Sequence, residues 1–128
     1  MAVLMILVDT SVWIDFFRGK QNSKLLSELL LQKQIITHSF VIGELMIGHL
    51  GALREKTLED MLRLPKIENA ELEEIQTFVT EESLYGKGLT YIDADLLYSS
   101  LTENCLLWTH DKTLKMFAEK YQKAFNQV

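Results

Sequence analysis

The chain has 128 residues and a mass of 14.8 kDa, the size of one domain, and is long enough to bury a core without a disulfide or metal staple. With 48% hydrophobic and 24% charged residues and a single proline, its composition excludes disorder, collagen and coiled coil. Its 18 acidic and 13 basic residues give a net charge of −5, which on its own argues against a nucleic-acid partner.

The lone cysteine, Cys105, has no intramolecular disulfide partner, as fits a reducing cytoplasm. A mean hydropathy of +0.05 is high for so small a surface, so some apolar surface is expected to be covered by a partner. The opening run MAVLMILV lacks a basic flank and a cleavage site, and Asp9 ends it. It reads neither as a signal peptide nor as a membrane span.

No linker, repeat or shift in composition divides the chain, so residues 1–128 form one domain. Residues 3–8 are a continuous apolar run, the pattern of a strand buried on both faces. Thr10 and Ser11 offer caps for a helix that stops at Gly19, and Asn22 or Ser23 caps a second helix through KLLSELLLQK. QIITH is a short strand. Ser39 opens a very apolar helix to about Gly51, and residues 52–63 continue as an amphipathic helix that Pro65 closes. KIEN is a candidate strand, residues 70–85 an acidic helix, and YGKGLT a turn. Thr90 caps a helix over about 91–103, CLLWT is a buried strand, DKTLKMFAEKY a helix and AFNQ a candidate last strand. Strands alternating with helices predict a parallel sheet covered on both faces, with sites beyond the carboxyl ends of its strands.

Four acids stand out. Asp9 ends the first buried strand, where it is either a helix cap or a group facing the crevice. Glu44 lies in SFVIGELMIGHLGAL, whose apolar character predicts burial; a buried carboxylate needs a partner or a cation, and the alternative is a partly exposed stripe. Asp93 and Asp95 open one helix about 200° apart, so at most one of them enters a shared site. Asp93 shares a face with Leu96 and Leu97, whereas Asp95 is expected in solvent. Asp111 repeats the setting of Asp9 after CLLWT. Converging carboxylates repel one another unless a hard cation such as Mg²⁺ or Mn²⁺ neutralises them. Such ions activate water and clamp phosphodiester oxygens.

At these residues the sequence resembles the PIN-domain family, specifically the VapC-like toxin ribonucleases of type II toxin–antitoxin pairs. The matching pieces are ILVDTSVWIDFFRG, SFVIGELMIG, YIDADLLYSSL and LLWTHDKTLKMFAEKY, in the family's order and across nearly the whole chain. The resemblance implies an α/β fold, a PIN-like three-layer α/β/α sandwich around a mainly parallel sheet of four or five short strands. It implies a metal-dependent endoribonuclease with Asp9, Glu44, Asp93 and Asp111 as the acidic quartet holding one or two Mg²⁺ or Mn²⁺ ions. It places a small hydroxyl residue beside the site, matched by Ser11 and by Thr109. It also implies an RNA substrate, a cognate antitoxin that blocks the site, and a homodimer. Some members carry a fifth acid after the fourth; here Lys112, Thr113 and Leu114 follow Asp111, so four are expected.

Among the remaining residues, Arg18, Lys20, Lys87 and Lys112 are candidates for phosphate contact. His38, His49 and His110 lack metal-ligand spacing and read as packing or surface residues, and Trp13, Phe16, Phe17 and Trp108 read as core or interface. A catalytically silent PIN binding module is the first alternative. A Mg²⁺-dependent response-regulator receiver domain fits poorly, because Asp9 has no acidic neighbour. A haloacid-dehalogenase-like phosphatase lacks its second Asp in DTS.

Overall fold

A computed structural model describes residues 3–20 and 23–126. Within them the chain forms β1 (Ile6–Val8), α1 (Thr10–Phe17), α2 (Ser23–Leu31), β2 (Ile35–His38), α3 (Ser39–Ile47), a 3₁₀ turn (Gly51–Leu53), α4 (Arg54–Leu62), β3 (Lys66–Ile67), α5 (Leu72–Glu81), α6 (Tyr91–Thr102), β4 (Leu106–Trp108) and α7 (Lys112–Lys120). The four strands lie in the order β3-β2-β1-β4, and every pairing is parallel. This is the expected α/β architecture with its central parallel sheet. The candidate last strand contributes a single parallel bridge, Leu107 to Ala124, and Gln127 lies outside the described residues.

β1 and β4 carry the centre of the core. Ile6, Leu7 and Val8 are buried together with Leu107 and Trp108, and α6 covers them with Leu96 and Leu97. The predicted strand over residues 3–8 is half as long as expected, because Val3 and Leu4 stand exposed at 70% and 39% before pairing begins. Three of the strands lead closely into a capped helix: after β1 Asp9 caps α1, at the end of β2 His38 caps α3, and after β4 Asp111 caps α7. The cap of α1 is thus Asp9 rather than Thr10 or Ser11. Ser23 is the first residue of α2, and its hydroxyl donates to the Lys20 carbonyl; Asn22 lies outside the described residues. Gly19, in the left-handed region at φ 66°, follows α1 as expected.

The apolar helix predicted from Ser39 to Gly51 ends sooner, at Ile47, with Gly48 as its cap. Its burial also differs from expectation. Val41, Ile42 and Leu45 are buried, but Glu44, Met46 and Ile47 face outward. The acidic helix is α5, and only Ile75 of it is buried. No helix among the described residues is long and apolar enough to cross a membrane.

Candidate active site

The site begins where β1 ends. Asp9 is 7% exposed and its carboxylate is held from three sides. Oδ1 accepts the Thr10 backbone N–H at 2.8 Å, and Oδ2 accepts the Ser11 hydroxyl at 2.9 Å and the Thr109 hydroxyl at 2.7 Å. Both hydroxyls are themselves oriented. Ser11 Oγ accepts the His110 N–H at 3.0 Å, and Thr109 Oγ1 accepts the Asp111 N–H at 3.0 Å. Each hydroxyl therefore spends its proton on Asp9 and its lone pair on the backbone after β4. These bonds tie the carboxyl ends of β1 and β4 together around one carboxylate.

Asp111 caps α7 with Oδ2, which accepts the Leu114 N–H at 2.9 Å. Asp93 is the third helical residue of α6 and forms a reciprocal capping box with Thr90: Asp93 N–H donates to Thr90 Oγ1 at 3.1 Å, and Thr90 N–H donates to Asp93 Oδ2 at 3.2 Å. Burial pushes the Asp93 carboxyl above its ordinary value of 3.8 despite those capping bonds, and the negative charges of Asp9 and Asp111 push it further the same way. Asp9, Asp93 and Asp111 thus lie within one electrostatic neighbourhood. Glu44 joins through Thr10, whose hydroxyl donates to Glu44 Oε1 at 2.7 Å. Glu44 is exposed, in contrast to the burial expected of it. Thr10 is a positioning residue that the sequence reading missed; its only signal was a hydroxyl between Asp9 and Ser11.

No lysine or arginine forms an ion pair with any of the four acids among the described residues. Among those residues, too, no three acid, histidine or cysteine side chains stand close enough to enclose a metal ion directly. The donor set nonetheless suits a hard divalent ion. Asp93 Oδ1, Asp111 Oδ1 and Glu44 Oε2 carry no hydrogen bond among the described residues. Mg²⁺ keeps several waters and binds through one or two carboxylates rather than a closed protein cage.

Asp95 does not enter this cluster, as the helical spacing implied, but it is not solvated. It is fully buried and accepts from His38 Nε2 at 3.0 Å, Ser99 Oγ at 3.1 Å and the Ala70 N–H at 3.1 Å. His38 Nδ1 accepts the Phe40 N–H, which assigns the ring proton to Nε2 and makes His38 the donor to Asp95. Asp95 therefore welds α6 to the start of α3 and to the loop after β3. On the other side, His110 Nδ1 lies 2.7 Å from Asp15 Oδ2, a pair between residues 95 positions apart that no local pattern signals.

The four candidate phosphate-binding side chains scatter. Arg18 and Lys20 follow the far end of α1, roughly 12 Å along the helix axis from Asp9, and the Lys20 ammonium faces Asp15 at 3.8 Å. Lys87 lies in the turn before α6, where the neighbouring Gly88, at φ 89°, approaches the Thr113 side chain of α7. Lys112 opens α7 directly after Asp111.

The PIN domain family model matches residues 6–120. The chain is 38% identical over 112 residues to Ribonuclease VapC32 of Mycobacterium tuberculosis, a match covering 87% of this chain and 88% of that protein. Among solved structures it resembles PAE2754 from Pyrobaculum aerophilum, with a TM-score of 0.66 at 19% identity, covering 95% of this chain and 88% of that one. It also resembles FitAcB from Neisseria gonorrhoeae, with a TM-score of 0.62 at 18% identity, covering 90% and 94%. At those identities the two structures speak for the fold.

Proposed function

This chain belongs to the PIN-domain family, and on that premise we propose that it is a VapC-like toxin, an endoribonuclease that hydrolyses RNA phosphodiester bonds with Mg²⁺ or Mn²⁺. The observation that carries this reading is the shared field of Asp9, Asp93 and Asp111 at the carboxyl edge of a parallel sheet, with no lysine or arginine paired to them among the described residues. The relative's name, a ribonuclease, supports the substrate class.

Asp9, Glu44, Asp93 and Asp111 would hold one or two ions. When bound, such an ion supplies Lewis-acid charge to the phosphate oxygens and lowers the pKa of water. The chain's own contribution is placement. Ser11 and Thr109 fix the Asp9 carboxylate and saturate Oδ2, while Thr10 holds Glu44 against the start of α1. The caps on Asp93 and Asp111 each occupy one oxygen and leave the other without a hydrogen bond among the described residues. Exposed Met46, Ile47 and Leu53 support protein partners, namely a cognate antitoxin and a second copy in a homodimer.

The direct test is incubation of the purified protein with cellular RNA in Mg²⁺, Mn²⁺ or EDTA, with cut sites mapped. Wild type is expected to cut only with the divalent ion, and Asp9→Asn and Asp93→Asn to lose at least about 100-fold in rate while keeping the wild-type circular dichroism spectrum. Undiminished cutting in either variant, or in EDTA, overturns the assignment.

A further inference from the structure

A cavity of about 390 Å³ opens beside Asp111, lined by Trp108, His110, Lys112, Lys115, Phe125 and Asn126. Its size falls within the ~300–1,000 Å³ of small-ligand clefts. Lys112 and Lys115 are three residues apart on α7, so their ammonium groups share a face. Both are exposed, and neither forms an ion pair among the described residues. Lys112 opens the helix, where the dipole disfavours positive charge.

Trp108 forms an inner wall of the cavity. It is 1% exposed, and its indole Nε1–H finds no acceptor among the described residues. Beside it the half-buried Phe125 packs with ring centroids 5.0 Å apart, and exposed Asn126 adds an amide with both donor and acceptor. Asp15 holds the His110 ring at the cavity's edge. Two point charges for a phosphate, an aromatic surface for a base and an amide for its edge match a nucleotide.

We propose that this cavity is a nucleotide subsite that takes one residue of the RNA strand flanking the scissile phosphate, with Lys112 and Lys115 on its phosphate and Phe125 and Asn126 on its base. This rests on the ribonuclease reading above and adds where cleavage preference arises. The other large cleft, lined by Glu73, Glu74 and Glu81, repels phosphate.

The test uses a short RNA carrying one mapped cut site. For Lys112→Gln/Lys115→Gln, KM is expected to rise on the order of 10-fold with kcat within about 2-fold. The slope of log affinity against log salt should shrink by about 0.7 per lost phosphate contact. Lys33→Gln/Lys123→Gln removes the same charge at the opposite edge of the sheet, where Lys123 contacts Asn104, and should leave KM and slope unchanged. Asn126→Ala should change the nucleotide preference at one position beside the cut. A wild type that cuts no RNA overturns the ribonuclease reading and the subsite together. A wild type that cuts, with wild-type KM and salt slope in the Lys112/Lys115 variant, overturns the subsite alone.

Discussion

Asp9 supports a helix with one oxygen and accepts two hydroxyls with the other, so the same side chain answers a structural and a chemical need. Asp93 shows the cost of such placement, because its burial and its two acidic neighbours disfavour its ionised form. Its folded pKa is raised above the unfolded value. The favourable contribution is present at low pH, where Asp93 is neutral, and is lost as pH rises through the folded value. Asp93→Asn keeps a capping oxygen without the charge. In EDTA it is expected to melt above wild type at pH 7, with the difference vanishing as pH falls below 3.8, the ordinary value. Equal melting temperatures at both pH values would contradict this electrostatic account. Asp9 and Asp111 were legible in the sequence because each follows a short apolar run, the mark of a strand's carboxyl end. Glu44 was legible as an outlier, but its exposure was not. A helix apolar on nearly every side has no polar stripe to show which face turns outward.

The elements follow their local signals closely and their lengths less so. Caps at Thr90 and Asp111, the glycine after α1 and the turn before α6 all sit where the residues imply. The strands are shorter than their apolar runs because pairing, a long-range event, decides how much of a run becomes sheet. The Asp95 network escaped prediction for a related reason. Its partners His38, Ala70 and Ser99 come from separate elements, and only packing brings them together. Asp95→Ala would leave the His38, Ser99 and Ala70 donors buried or partly buried without their acceptor. The expected loss is about 1–3 kcal/mol for each donor left unsatisfied, readable as a lower urea midpoint. An unchanged midpoint would show that water replaces the carboxylate.

At the scale of the molecule, Asp9 and Asp111, two of the candidate site acids, follow the carboxyl ends of β1 and β4. Setting the quartet aside leaves acids and bases nearly balanced, and on α5 and its C-cap Glu74 and Glu82 accept hydrogen bonds from Tyr98 and Tyr121. Those contacts raise both phenols; for Tyr121, burial is the larger cause and the value reaches about 12. If the quartet binds Mg²⁺, the ion at 100 times its Kd stabilises the fold by about 2.7 kcal/mol. Wild type should then melt several degrees higher in Mg²⁺, and Asp9→Asn/Asp111→Asn should not respond. Identical shifts in both proteins would exclude binding by these acids. The hydroxyl bridge from Thr109 to Asp9 spans 100 residues of chain. β1 has no β4 to pair with until the last quarter of the chain has left the ribosome. At about 5–20 residues per second, Asp9 waits several seconds for the groups that orient it. A chain that has not yet delivered Thr109 thus cannot hold the Asp9 carboxylate as the folded protein does.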